Sequence, residues 1–187
     1  MSLRRGFKAS ANRISLRLRR GLGLRPTDPI DLMAIAAKLN VPVVPLSEFR
    51  SEFPAAVKQL SIVDPSAFSA ATVPIEGGRR VIVYNDSHDP GRQNNSIAHE
   101  IAHILLGHQS TLPIDSSGKR VVDRETEEEA NWLGATILIS DEAAFRIVRD
   151  GLSTQGACDL YGVSAPLLQM RRNASGAVIR ARRAAAH

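Results

Sequence analysis

Cysteine is nearly absent: Cys158 stands alone in 187 residues, so the chain forms no internal disulfide. That suits a reducing cytoplasm, and Cys158 reads as a small apolar residue rather than as a nucleophile. Aromatics make up only 4% of the chain and are not interleaved with its basic residues. This argues against a base-stacking surface for single-stranded nucleic acid. No apolar run approaches the ~20 residues that span a bilayer, so no membrane segment is expected. Acid is missing from both ends. Residues 1–27 hold eight Arg/Lys and residues 160–187 hold five Arg, with no Asp or Glu in either stretch. The middle is net acidic, and the formal charge of +5 therefore resides at the two ends. Basic ends can meet nucleic acid or an acidic partner; solvated helix faces and a loose tail are the plainer reading.

An Arg-rich, acid-poor start can also signal an organelle transit peptide. Against that, Phe7, Ala11, Ile14, Leu18 and Leu22 recur at helical spacing. They predict a first helix over about 7–21, with its basic residues on the wet face.

What the chain does contain is His99-Glu100-Ile101-Ala102-His103. On a helix, residues four apart project from one face, so the two imidazoles can bind one Zn²⁺. Glu100 can then act as base on a water at the metal. The local signals favour a helix over about 90–106. Asp89-Pro90 is a start, Ile97, Ile101, Ile104 and Leu105 form an apolar stripe, and Gly107 is a stop.

A catalytic zinc site takes a third protein ligand and keeps one position open. The metzincin extension would place Gly and His at the positions of Leu106 and Gln109; Gly107 and His108 each miss by one residue, which rejects that pattern. His108 falls instead at the frayed helix end. The better source is a second helix over about 123–139, acidic at its start and apolar at its end. Ala130, Leu133, Gly134, Ile137 and Leu138 form its buried stripe. Glu125, Glu128 and Glu129 compete with Glu127, and any one of them is most simply a solvated residue. Glu127 shares a face with small Ala130, Asn131 and Gly134, where another helix can come close. Asn131, one turn on, can hydrogen-bond the ring N–H of a ligand histidine.

His99-Glu-Ile-Ala-His103 followed by Glu127-x-x-Ala130-Asn131 resembles the ImmA/IrrE family of bacterial zinc metallo-endopeptidases, whose site is similar to that of the gluzincins. The resemblance extends to Pro29–Val43, like the family's opening helix and strand. It also covers Val81-Ile-Val-Tyr84-Asn and Arg92-Gln93, like its strand-to-helix core. It implies metal ligands His99, His103 and Glu127, Glu100 as catalytic base, Zn²⁺ as cofactor, and a protein partner such as a transcriptional repressor as substrate. Two stretches depart from the pattern. Leu138-Ile139-Ser140 replaces the usual Leu-Met-Pro, and Trp132-Leu133-Gly134 replaces Phe-Ala after the Asn. Neither touches a ligand.

The expected architecture is α+β: a mainly helical metallopeptidase domain over 1–150, with a small antiparallel sheet beside the active helix. A second helix is expected over about 29–39 with Asp28 as cap. Val41-Pro-Val-Val reads as a short edge strand. Ala67–Pro74 and Arg79–Tyr84 form a hairpin around Glu76-Gly-Gly. Residues 47–60 are ambiguous, 110–122 form a loop, and a helix follows at about 141–150. Residues 151–175 resemble a helix-turn-helix around Gly162-Val163-Ser164, and 176–187 form a basic, flexible tail. The second helix of the pair offers only Gln169, Arg171 and Arg172 to base edges, so closing the peptidase core is favoured over entering a DNA groove.

Substrate pairing by strand addition is assigned to Val81–Tyr84, the strand just before the active helix. The donor to the oxyanion is left open among Tyr84, His88, Arg92 and His108. Two functional classes follow: a cytoplasmic endopeptidase acting on a protein partner, or a metal-containing regulator working through its helix-turn-helix-like end and basic tails. Neither the oligomeric state nor a metal other than the default zinc is specified.

Overall fold

In the computed structural model, which describes residues 3–108, 124–184 and 186, the punctuation read from the sequence becomes helix boundaries. Helices α1 (Phe7–Gly21) and α2 (Leu32–Lys38) lead into strand β1 (Val43–Pro45). Residues 46–67 form short helical pieces, including α3 (Pro54–Lys58). The hairpin β2 (Ala70–Ile75) and β3 (Arg79–Tyr84) precedes α4 (Pro90–Leu106). Then come α5 (Arg124–Leu138), α6 (Asp141–Arg149), α7 (Thr154–Tyr161), α8 (Ala165–Ala174) and α9 (Ala177–Ala184). The fold is α+β and mainly helical. No helix among the described residues is long and apolar enough to cross a membrane. The loop expected over 110–122 lies outside the described residues.

The sheet is mixed rather than antiparallel. Its order is β1-β3-β2, with β2 antiparallel and β1 parallel to β3. The hairpin fills one side of β3, so β1, arriving first in the chain, takes the other. Pro42 sits beside β1 and Pro74 within β2; both strands are edges, where a missing N–H is tolerated.

One cap differs from expectation and one agrees. Asp31, not Asp28, accepts the Met33 N–H at 2.8 Å to start α2. Asp28 is engaged elsewhere, by the Arg25 guanidinium and backbone. Asp89 does cap α4, accepting the Arg92 N–H at 3.0 Å with Pro90 in the first turn.

Helix α5 runs through the middle of the core, with Leu133, Ile137 and Leu138 buried against α1 and α4. Ile97 and Ile101 of α4 are fully enclosed, while Ile104 and Leu105 are partly so. Phe7 and Ala11 of α1 join the same cluster. The first helix is not basic only on its wet face, however. Arg19 is fully buried and donates to the carbonyls of Asp28 and Leu138 and to Ser15 Oγ. Ser15 in turn donates to the Thr136 carbonyl at 2.7 Å. The last carbonyls of α5 have no helical partner, and a buried guanidinium with five donors answers that need. Arg171 of α8 does the same for the Ile139 carbonyl at 2.8 Å and pairs with Asp141 at 2.6 Å.

The helical pair α7–α8 is docked by its turn. Asn94 of α4 donates to the Gly162 carbonyl at 2.8 Å, and a Cβ on Gly91 would lie 2.8 Å from the Ser164 nitrogen. Leu167, Leu168 and Arg171 of α8 face inward. The stretch expected as a tail carries α9, whose Arg180 lies over the Phe145 ring of α6.

Candidate metal centre

Helix α4 presents His99 and His103 one turn apart, and α5 crosses it closely enough to bring Glu127 to both. The close approach depends on Gly134. A Cβ there would meet the His99 nitrogen at 3.0 Å and the Ala98 carbonyl carbon and oxygen at 3.1 Å. Ala130, one turn earlier, is also buried without bulk.

The Nε2 atoms of His99 and His103 lie 2.9 Å apart. Glu127 places Oε2 3.3 Å from His99 Nε2 and Oε1 3.4 Å from His103 Nε2. Among the described residues these three form a cluster that could hold a metal ion, with all donor atoms within 4.8 Å of one another. Tetrahedral ligands at ~2.0–2.1 Å from a zinc ion stand roughly 3.3 Å from one another, and the donor spacings of 2.9–3.4 Å are close to that arrangement. Two imidazoles and one carboxylate are a donor set of the catalytic kind, with a position left open. Hydrogen bonds from His103 and then His99 hold the Glu127 carboxyl well below the usual carboxylate range, against the opposing effect of burial. Glu127 is therefore ionised at neutral pH, as a ligand must be.

Glu100 is buried at 9% exposure. Its Oε2 accepts a 2.7 Å hydrogen bond from Thr72 Oγ1 of β2. That bond fixes one carboxylate oxygen; the other has no hydrogen bond among the described residues. Glu100, His99 and Glu127 line an open cleft of about 390 Å³. Its other walls are Ser66, Ala67, Ser69 and Ala70 from the chain entering β2, Arg92, Asn95 and Ser96 from α4, and Asn131 from α5.

The remaining residues singled out from the sequence separate by position. Arg92 stands at the rim and donates to Ser69 Oγ at 3.0 Å. Tyr84 packs on the core at the end of β3, where burial raises its pKa, and does not line the cleft. His88 is held in its loop, its Nε2 2.8 Å from the Pro65 carbonyl. Asn131 is exposed on the cleft wall and makes no hydrogen bond to either histidine. His99 Nδ1 is buried without a partner. His108 approaches His103 from behind, Nδ1 to Nδ1, at 3.0 Å. Burial, and then His103, push the His108 pKa down, with Glu129 opposing. Nothing in the sequence marks Thr72, since a Thr in a strand is ordinary. Glu129 is 5% exposed although it sits in an acidic helix start.

A helix carrying two histidines and an enclosed glutamate, clamped by a carboxylate from a second helix, defines a metallopeptidase-type centre. The sequence profile of the IrrE N-terminal-like domain (Peptidase_M78) matches residues 50–172, about two thirds of the chain. The chain belongs to this peptidase family. No curated protein matches it significantly.

Proposed function

We propose that the chain is a zinc-dependent endopeptidase of the cytoplasm that hydrolyses peptide bonds in a regulatory protein such as a transcriptional repressor. The observation that carries the reading is the position of buried Glu100. It sits beside the His99–His103–Glu127 cluster and on the wall of an open cleft. His99, His103 and Glu127 would hold the ion. When bound, zinc supplies Lewis acidity, which lowers the pKa of a water and polarises a carbonyl.

The protein's own part is proton transfer and positioning. The Glu100 oxygen not engaged by Thr72 takes a proton from water as the water oxygen attacks the scissile carbonyl carbon. The same oxygen returns that proton to the amide nitrogen as the C–N bond breaks, leaving a carboxylic acid and an amine. Thr72 keeps the carboxylate aimed during both transfers. Arg92 is the one of the four oxyanion or substrate-contact candidates that lines the cleft, and we assign it to contact with the bound peptide.

Strand addition moves from β3 to β2. β3 is paired on both sides, whereas β2 is an edge among the described strands and its start borders the cleft. An extended segment laid along β2 reaches Glu100. The burial of Leu167, Leu168 and Arg171 and the docking of the α7–α8 turn on α4 support a role for that pair in closing the domain.

The test is Glu100→Gln in the full chain, assayed on a protein substrate together with metal content. The expected result is loss of cleavage with zinc retained. Cleavage at the wild-type rate by the variant would overturn the assignment.

A further inference from the structure

The ring of His103 is gripped from two sides. Its Nε2 faces Glu127 and His99, and its Nδ1 lies 3.0 Å from His108 Nδ1. The backbone brings this about. Gly107 ends α4 at φ 69°, and the His108 N–H bonds back to the His103 carbonyl at 3.0 Å. This left-handed turn reverses the chain and returns the next side chain onto the helix's last turn. Behind His108 stands Glu129, with Oε2 3.7 Å from His108 Nε2. Glu129 is itself ion-paired with Arg4, whose Nε is 2.7 Å from its Oε1. The row Arg4–Glu129–His108–His103 thus runs from the surface to the metal cluster.

Proton positions follow from the contacts. A histidine that gives its Nε2 lone pair to a metal carries its proton on Nδ1, and that proton needs an acceptor. The atom facing it is His108 Nδ1, which accepts only if the His108 proton sits on Nε2. That N–H then lies on the side of the Glu129 carboxylate, at ion-pair distance. Among the described residues His99 has no such support, since its Nδ1 is buried without a partner there. Asn131, the residue whose spacing suggested this role, does not reach either ring.

We infer that His108, backed by Glu129 and Arg4, is a positioning residue that fixes the tautomer and orientation of His103 and thereby sets the metal affinity of the site. The inference rests on the metal reading above. His108 touches neither the reacting atoms nor the cleft.

The test is Zn²⁺ affinity of the full chain, measured by competition with a chromogenic chelator, for wild type, His108→Ala, His108→Phe, His108→Asn and Glu129→Gln. Partners of this kind are worth about 10–100-fold in metal affinity, and that loss is expected for Ala and Phe. The Asn side chain can present an oxygen acceptor near the place of Nδ1, so His108→Asn should recover most of it. Glu129→Gln should fall between. Far-UV circular dichroism of the metal-free proteins, expected to be unchanged, separates ligand positioning from unfolding. Equal affinity in wild type and the Ala and Phe variants overturns the inference, as does a loss that Asn does not relieve. A wild type that binds no zinc overturns the metal centre and this clamp together, which distinguishes the two failures.

Discussion

A Cβ placed on Gly134 would stand 3.0 Å from the backbone nitrogen of His99, so the gap between α5 and α4 at the metal cluster is one hydrogen atom wide on the α5 side. Gly134→Ala must push the helices apart, because the opposing atoms are backbone and cannot turn away. Overpacking of this sort costs about 1–3 kcal/mol. Thermal unfolding of the metal-free variant should show that loss. Zinc titration should show weaker binding, since Glu127 moves with α5. Wild-type values for both would contradict this account of the helix contact.

The hydroxyl of Thr72 is the restraint on Glu100 that comes from the sheet. Thr72→Val keeps the shape and removes the donor. Hydrolysis should slow by about tenfold, the equivalent of one charge-assisted hydrogen bond, with metal content unchanged. Thr72→Ser should restore the rate. Steady-state kinetics with metal analysis reads both quantities.

Glu127 is the member of the His99–His103–Glu127 cluster that comes from α5. Glu127→Ala should lower zinc affinity by more than the roughly 10–100-fold that an outer partner costs. Glu125→Ala, on an exposed part of the same helix, should leave affinity unchanged. Chelator competition on the pair checks whether this carboxylate, and not acidity of the helix start in general, binds the ion.

Arg19 holds the carbonyls of Asp28 and Leu138. Burial lowers its pKa to about 10, with partial compensation from Tyr161, Glu142 and Asp28, so it remains charged at neutral pH. Arg19→Leu removes the donors and leaves those carbonyls unsatisfied, at a cost of about 3 kcal/mol. For a chain of this size the unfolding midpoint should fall by about 6–12 °C. Arg17→Leu, on the exposed face of the same helix, is the control and should shift the midpoint little.

The parts of the site that were legible in the sequence are those set by short-range geometry. His99 and His103 follow from helical spacing, and the Asp89 and Gly107 caps bound that helix where the structure bounds it. Glu127 could be picked from four acids because small residues share its face. What was not legible depends on distant partners. Thr72 meets Glu100 across 28 residues. Buried Glu129 meets Arg4, from the start of the chain. Arg19 reads as one more exposed base in an Arg-rich helix until the ends of α5 and the Asp28 turn are brought beside it. Asp28 looked like a cap because it precedes Pro29, but Arg25 three residues earlier already engages it. The parallel pairing of β1 could not be read either, since Val43–Pro45 carries no signal of strand direction. His108 was seen only as a helix-end residue, because its return onto His103 requires the φ 69° turn at Gly107.

Whether His99, His103 and Glu127 share one ion is tested by crystals of the zinc-loaded full chain, with diffraction recorded on both sides of the zinc absorption edge. A single strong anomalous peak is expected in bonding contact with Nε2 of His99, Nε2 of His103 and the Glu127 carboxylate. A zinc-loaded crystal with its peak elsewhere, or with the Glu127 side chain turned away from the peak, would contradict it.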